Sequence, residues 1–493
     1  METFRFAARD EFVNRVADLA RLEDWWEGAE RNVLALYGRR RVGKSWLFRT
    51  FADGKPAIVL VADRRAEGQQ LNRFADRLAP LLGFRPDLPD LPTLFSALYQ
   101  LAREQKVLAV IDEFPYLLPS VAARRDEILT ALQAVMEERD SATLKLVLCG
   151  SHIGQMTTLL SESSPLRGRL TPLSVEPLRF ADAQAFMPDL TAQERVERYA
   201  VAGGMSLYLD ELGRGPGDLR EQVCRRVLNH RGPLFNDPRE VLEEELRQPG
   251  IYFSMLEELA FGMRSIGDLA TALGRRSTDL SQYLNTLKDL RLVEQIAPLT
   301  ADRSSRDHRY RIADGFLKFW FRFVFNYQED LRAGLRPGDH YDGEIAPVLA
   351  DHVAPAFEAL CREWTRSHLG RRASRVGTWW GKALAEHRRS GERQVEEIDV
   401  VGLQRSTVTI IGECKWTNRS MTPKVLTDLE TYKLPAMRQA KLRFSADGPL
   451  VVFFARSFAH SLIEVAATRP NVHLVTLDEL VSDLTTTDDR QGQ

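Results

Sequence analysis

Two short stretches of this chain hold residues whose types and spacing could do chemistry. The first is GRRRVGKS, Gly38 to Ser45. It stands between apolar strand text and helical text, the setting that the pattern G-x-x-x-x-G-K-S requires. Gly38 and Gly43 would let the backbone curl, so that the amides of Arg39, Arg40, Arg41 and Val42 face phosphate oxygens. The helix that opens here, with Trp46 in its first turn, adds its positive end. Lys44 is spaced to reach β and γ phosphates, and the Ser45 hydroxyl to hold Mg2+. The expected ligands are ATP and Mg2+; a chance match is the alternative.

The second stretch is EEIDVVGLQRSTVTIIGECKW, residues 396 to 416. Two β-branched runs flank the turn GLQRS. Residues two apart on a strand share a face, so Glu413 and Lys415 project together while Cys414 points away. Asp399, on the preceding strand, can meet them at the sheet surface. Two carboxylates are hard oxygen ligands for Mg2+. Such a metal polarises a phosphodiester and acidifies a bound water, and a lysine can orient that water or offset charge on the phosphorane. Glu358, in the helical text AFEALCREW, is the candidate fourth member and a further metal ligand. Any hairpin can carry a surface Asp, Glu and Lys, and that is the bland alternative. The apolar runs before both acids, the upstream helix and the basic surroundings weigh against it.

The elements that must position these groups can be read in order. NVLALY, KPAIVLVAD (55–63), KVLAVIDEF (106–114) and LKLVLCGS (144–151) are apolar strands separated by helical text. That alternation implies a parallel sheet covered on both faces. KVLAVIDEF ends in Asp112, which would hold the metal's water shell, and Glu113, which would polarise the attacking water; helix capping is the other role for such acids. Ser151 could contact the γ-phosphate or water as a sensor, or be a plain turn serine. In SPLRGRLTPL (164–173) Arg167 and Arg169 flank a glycine. Arg169 is the expected catalytic arginine, in cis or from a neighbouring subunit, the latter requiring a homo-oligomer. A solvated loop is the alternative.

Residues 11–30 have helical spacing, with Phe12, Val16, Leu19 and Leu22 on one face. After Pro172 the text is mainly helical to about residue 245. Residues 251–313 read as three short helices, then two strands around the charged loop TADRSSRD, the order of a winged helix-turn-helix. Its candidate recognition helix carries Ser277, Thr278, Gln282, Asn285 and Lys288, with Arg303 and Arg306 in the wing; a packing module is the alternative. GFLKFWFRFVFNY (315–327) is an aromatic core helix, too short and too interrupted by Lys318 and Arg322 to span a membrane. GLRPGDHYDG (334–343) is the expected linker. From about residue 344 a helix leads into strands at 376–380, 394–401, 407–415 and 449–454, and the tail TTTDDRQGQ is expected to fray.

The surroundings of the second stretch are basic. Residues 362–393 hold nine Lys/Arg (Arg362, Arg366, Arg371, Arg372, Arg375, Lys382, Arg388, Arg389, Arg393) against three Glu, with Trp379 and Trp380 among them. That mix suits a phosphate backbone and stacked bases, DNA before RNA.

YGRRRVGKS, VLAVIDEF, the GS of LCGSHIGQM, SPLRGR and AGGMSLYL (202–209) together resemble the prokaryotic archaeal-type ATPases, a branch of the AAA/STAND-like P-loop NTPases. Members generally have tyrosine where Arg167 stands and proline near Met205–Ser206, so a nucleotide-sensing role for GGMSLYL is not implied. APAFEALCREW, GTWWGK, EEIDVVG and GECKW resemble the PD-(D/E)xK nuclease-like domain of unknown function that commonly follows such ATPases. The proline that often precedes the aspartate is absent. The resemblance implies a multidomain α/β chain: a P-loop ATPase core at 1–172, a helical lid at 173–245, a winged helix with the aromatic helix at 246–333, and a restriction-endonuclease-like α/β domain at 344–484. It implies an ATPase coupled through the winged helix to a metal-dependent site acting on nucleic acid; a regulatory switch ATPase with an inactive C-terminal domain is the alternative.

Composition agrees with several folded domains. The chain has 493 residues, 44% hydrophobic and 28% charged, with a net charge of −2. No global field draws it to nucleic acid, so any such binding must be local. Cys149, Cys224, Cys361 and Cys414 form no CxxC pair, which argues against zinc or a disulfide framework. A reduced, cytoplasmic setting without membrane contact is the expectation.

Overall fold

The computed structural model describes residues 15–28, 31–138, 143–215, 217–246, 248–301, 307–390 and 394–491. Phe12, Arg303, Arg306 and Arg393 lie outside them. The chain divides into two compact units: residues up to Leu178 with Met205–Leu207, and Arg179–Gly204 with Tyr208–Gln493.

The first unit is built on β1 (Val33–Tyr37), β2 (Ala57–Val61), β3 (Val107–Asp112), β4 (Leu144–Gly150) and β5 (Leu170–Ser174). All pairs are parallel, in the order β2-β3-β4-β1-β5. Every residue of β3 and β4 is buried, because both faces of a parallel sheet are covered; that is why these strands read as unbroken apolar runs. Helices Glu67–Leu82, Leu91–Leu101 and Ala122–Glu138 close one face through Phe74, Phe95, Leu98 and Leu132. β5, LTPLS, escapes the sequence reading: Pro172 and two hydroxyl residues hide it. It survives as an edge strand, where a missing amide costs least. The boundary expected at residue 172 falls inside it.

The strand order positions the first site. β4 lies between β1 and β3, with Gly150 opposite Tyr37 and Leu148 opposite Ile111. The ends of β1, β4 and β3 thus bring Gly38, Ser151 and Asp112–Glu113 to one edge, where ligands of open parallel sheets bind.

In the second unit, helices Pro249–Ala260, Ile266–Ala272 and Ser277–Asp289 precede an antiparallel ribbon of β6 (Val293–Ile296) and β7 (Arg309–Ile312). Ser265 and Asp268 cap the second of these helices reciprocally. The aromatic helix Gly315–Phe323 is buried through Phe316, Phe319, Trp320 and Phe321. The expected linker at 334–343 is not a linker. Pro337 opens the short helix Pro337–His340, which passes into a π-turn, Tyr341–Ile345, with Tyr341 and Ile345 buried. Proline fits the first turn of a helix as well as a loop, so its presence misled.

Helix Leu349–Leu369 then covers one face of a sheet of β8 (Arg375–Lys382), β9 (Val395–Gln404), β10 (Thr407–Lys415), β11 (Arg443–Phe444), β12 (Leu450–Ala455) and β13 (Val472–Thr476). The order is β13-β12-β10-β9-β8, with β11 also on β10. β8, β9 and β10 are antiparallel, while β12 and β13 run parallel to β10. Val353, Phe357 and Leu360 of the helix pack on Val400, Ile410, Val452 and Phe454. Leu426, Leu429 and Met437 pack on Val401, Ile411 and Phe453 of the other face. The tail does not fray at the expected point: Thr476 and Glu479 cap a helix that runs from Leu477 to Gln491. Among the described residues no helix is long and apolar enough to cross a membrane.

Candidate nucleotide and carboxylate sites

The loop from Gly38 to Gly43 joins β1 to helix Lys44–Ala52. Gly43 has φ 99°, and Arg41 also stands in the left-handed region at 69°. Gly38 is needed for another reason than curling. A Cβ there would stand 2.4 Å from the carbonyl oxygen of Val175, just beyond β5, so only glycine lets the chain pass. The Lys44 ammonium is buried and donates to the carbonyls of Gly38 and Arg39 at 2.8 and 3.0 Å. It is therefore held across the loop at its start. Arg40 donates to the Tyr116 hydroxyl at 3.1 Å, Arg39 is buried and Trp46 is exposed.

Ser45 Oγ donates to Asp112 Oδ2 at 3.2 Å, and Asp112 Oδ1 accepts from the Glu113 amide at 3.1 Å. Burial above all pushes the Asp112 carboxyl up; the Cys149 thiol, Lys44 and Ser45 pull it back, and the Glu113 charge adds to the rise. A hydroxyl and a carboxylate meeting at one point are a hard oxygen pair of the kind Mg2+ takes beside phosphates. The donors present fit that ion.

Glu113 stands in the left-handed region at φ 54°, a conformation that costs a residue with a Cβ backbone free energy. Its carboxylate accepts from Ser151 Oγ at 2.7 and 2.8 Å and from the Ser151 amide at 3.3 Å. Ser151 is thus seated on the carboxylate. Arg167 pairs with Glu162 at 3.0 Å, and Arg169 pairs with Glu137. Both arginines are engaged in ion pairs at the surface of their own unit.

Two residues at this loop were not legible in the sequence. Arg15 and Ser206 both donate to the Val42 carbonyl, the latter at 2.9 Å, and the Leu207 amide reaches the Arg41 carbonyl at 3.3 Å. Met205–Leu207 thereby belongs to the first unit although the chain on both sides belongs to the second. No spacing rule links positions so far apart.

The second site forms where β9 and β10 pair. Gly412 stands opposite Val400 and Ile411 opposite Val401, one residue short of Glu413 on β10 and of Asp399 on β9. Against β8, Gly377 pairs with Val401 and Trp379 with Ile398: three steps along β9 match two along β8. The extra residue is a bulge at Asp399–Val400, a device that re-aims a side chain. Asp399 Oδ2 accepts from the Cys414 amide at 2.8 Å, and the Asp399 carbonyl accepts from Arg362 at 2.9 Å.

Glu413 is 2% exposed. Burial first, then the Asp399 charge, push its carboxyl up to about 7, against the pull of Lys433 and Lys415. Lys433 Nζ stands 2.5 Å from Glu413 Oε2, whereas Glu413 Oε1 is buried without a hydrogen-bond partner. Glu358, on helix Leu349–Leu369, pairs with Arg362 at 3.7 Å; burial and then Asp399 push its carboxyl up to about 7 as well. Asp399 therefore lies within electrostatic reach of both glutamates. Lys415 ends β10 as an exposed residue. Among the described residues no three His, Cys, Asp or Glu side chains are gathered closely enough to hold a metal. Mg2+ commonly keeps several waters and needs only one or two carboxylates with substrate oxygens. The orphaned Glu413 oxygen beside Asp399 fits that requirement.

The basic surroundings are arranged differently from the expectation. Trp379 and Trp380 are buried, 2% and 5% exposed, so neither can stack on a base. Arg309 of β7 lies over the Trp380 ring at 4.5 Å and donates to Glu397 at 2.5 Å. The Leu299 amide donates to the Thr378 carbonyl at 2.8 Å, and Arg375 donates to the Leu299 carbonyl at 2.6 Å. The ribbon is thus bonded to the sheet's outer strand. On helix Ser277–Asp289, Thr278, Gln282 and Asn285 are exposed, Lys288 reaches Asn285 and Gln295, and Asp279 pairs with Arg276.

Residues 12–212 match a family described as an ATPase domain predominantly from Archaea, and residues 320–426 a family of archaeal and bacterial proteins of unknown function. An uncharacterised protein of Methanocaldococcus jannaschii is 27% identical over 417 residues, 82% of this chain and 87% of that protein. An uncharacterised ATP-binding protein of the same organism is 48% identical over 44 residues, 9% of this chain and 75% of that protein. Among solved structures, a Walker-type ATPase of Pyrococcus abyssi aligns with a TM-score of 0.48 at 20% identity, covering 65% of this chain and 99% of that one. A STAND protein with a tetratricopeptide repeat sensor from Pyrococcus horikoshii aligns with a TM-score of 0.30 at 15% identity, over 73% and 51% of the two chains.

Proposed function

We propose that this chain, whose residues 12–212 match a family described as an ATPase domain predominantly from Archaea, couples ATP hydrolysis to a metal-dependent, nuclease-like site in its second unit. The observation that carries the nucleotide half is the Ser45–Asp112 hydrogen bond at the mouth of the loop. The loop amides and Lys44 bind the phosphates of ATP, and Lys44 leaves its two carbonyls for them. Ser45 and Asp112 would hold Mg2+, which would offset the phosphate charge. Glu113 orients the attacking water, and Ser151 fixes which way the Glu113 carboxylate points.

Glu413 with its orphaned oxygen, within electrostatic reach of Asp399, supports the second half. Asp399 and Glu413 would hold the divalent ion, with Glu358 behind them. Such an ion activates water and neutralises a phosphodiester. Lys415, exposed at the strand end, contacts the substrate phosphate. In this reading the sheet is a PD-(D/E)xK-type core and the three helices with their ribbon are a winged helix, bonded to the outer strand of that core. The substrate is nucleic acid, DNA before RNA, and the chain works in the cytoplasm. Arg169 serves a neighbouring copy in a homo-oligomer once it leaves Glu137.

A second reading is favoured by the Lys433–Glu413 pair and by the ribbon over β8: a switch ATPase whose C-terminal domain docks without cutting. The separating experiment is nuclease activity of the purified chain with Mg2+ or Mn2+ on single- and double-stranded DNA and RNA. Cutting that both Asp399→Ala and Lys415→Ala abolish supports the enzyme. Binding without cutting by the wild type supports the switch.

A further inference from the structure

Lys433 is a lysine that no motif predicts, and it, rather than Lys415, touches a carboxylate of the second site. It is the last residue of a π-turn, Leu429–Lys433, set between helices Lys424–Asp428 and Leu434–Gln439. Such a turn adds a residue to the helical path and rotates the side chains that follow; it recurs at functional positions. Leu429 on one side and Ala436 and Met437 on the other are buried against the sheet. The backbone is therefore anchored on both sides of the residue that the turn aims at Glu413.

We propose that Lys433 is the resident cation of the carboxylate site: its ammonium holds Glu413 until a divalent ion displaces it, and so sets the affinity for that ion. The inference rests on the metal-site reading above. Glu413 is almost fully enclosed, and a buried carboxylate left without a counter-charge is strongly destabilising. The ionised form of Glu413 needs a positive charge beside it in either state. One oxygen has the ammonium at 2.5 Å and the other has no partner, so a divalent ion taken up by Glu413 with Asp399 would arrive beside a charge of its own sign. At a few ångströms in a buried setting that repulsion is large, and the flexible four-carbon stem of lysine lets it withdraw. The Lys433 side chain keeps 16% exposure, an open path for that withdrawal.

The test is Mn2+ titration calorimetry on the nucleotide-free full-length chain. Lys433→Met should bind Mn2+ at least 10-fold more tightly than wild type, and Lys433→Arg, which keeps the charge, should stay within 3-fold of it. Asp399→Asn should show no saturable binding. The shift of melting temperature by Mn2+ should rise in Lys433→Met and give the same ranking; if Lys433→Met does not fold, Lys433→Gln replaces it. A residue that merely braces Glu413 would give the opposite sign, weaker binding in Lys433→Met. That outcome, or unchanged affinity, with binding still lost in Asp399→Asn, overturns the role of Lys433 and leaves the metal site standing. Binding that persists in Asp399→Asn, or no binding by any variant, overturns both.

Discussion

At the phosphate loop, consecutive residues from Gly38 to Ser45 supply almost everything: amides, two left-handed turns, a lysine and a hydroxyl. At the carboxylate site the groups come from a helix, two strands and a π-turn spread between Glu358 and Lys433. The first is made by backbone curvature, and its few side chains sit on short tethers. The second is made by side chains that converge only after a sheet with both faces covered has formed. A backbone-made site loses function through one or two residues and is otherwise robust. A side-chain-made site can be tuned at many positions, because each charge there is balanced against several others.

The change that would sharpen this contrast most is Lys44→Ala, because a loss of nucleotide binding takes turnover with it. Removing the ammonium that bridges the loop should weaken ATP binding by at least about 100-fold, since charge-assisted contacts to phosphate are among the strong ones. Mn2+ binding at Asp399–Glu413, measured without nucleotide, should stay within 2-fold. ATP affinity that survives the change would refute the assignment of the loop.

Next comes Glu113→Gln. Positioned acid–base groups contribute roughly 10²–10⁴-fold, so steady-state ATP turnover should fall by that order while nucleotide affinity holds. Ser151→Ala should cost about 10-fold by freeing the Glu113 carboxylate, and nothing further when added to Glu113→Gln, because the two act as one unit. Additive losses in the double variant would mean that Ser151 acts on the nucleotide directly and not through Glu113.

The contrast also explains what the sequence made legible. The positions of the loop after β1 and of Asp112 and Glu113 at the end of β3 were readable because contiguous residues carry their own geometry, and the apolar runs of β3 and β4 announced a covered parallel sheet. Asp399 and Glu413 were readable as strand positions, but the bulge that aims Asp399 was not, since it depends on pairing with β8. Lys433 left no trace because it lies in helical text 20 positions beyond Glu413 and its aim depends on a π-turn. Trp379 and Trp380 looked like stacking platforms because composition does not tell a buried strand face from an open one. Val472–Thr476, a fifth core-forming segment of the second sheet beyond the four expected, was short enough to pass as loop. Arg15 and Ser206 reach Val42 across 27 and 164 positions, and only folding reveals such contacts.

The last effect is one on stability alone, and it probes the charge balance behind the second site. Lys318, on the aromatic helix, is held down to about 8 by burial first and then by Arg322 and Arg311, with Glu358 opposing them. In the unfolded chain its pKa returns to the ordinary lysine range, so between about pH 8 and pH 10 the unfolded state binds more protons than the folded one. Stability from this group therefore rises with pH across that window, and below it the folded protein carries the full cost of a buried ammonium. Lys318→Met removes the charge and keeps the stem's volume. At pH 7 it should stabilise the second unit by about 1–3 kcal/mol, one pKa unit being worth about 1.4 kcal/mol. Denaturant unfolding at pH 7 and pH 9.5 should show the gap between variant and wild type narrowing at the higher pH. His352 is buried near Lys318, and the ammonium is the second cause, after burial, of its lowered basicity; its ring should titrate closer to the ordinary histidine range in the variant. A gap that stays constant with pH would mean that Lys318 is already solvated, and the charge balance around Glu358 would then rest on Arg311 and Arg362 instead.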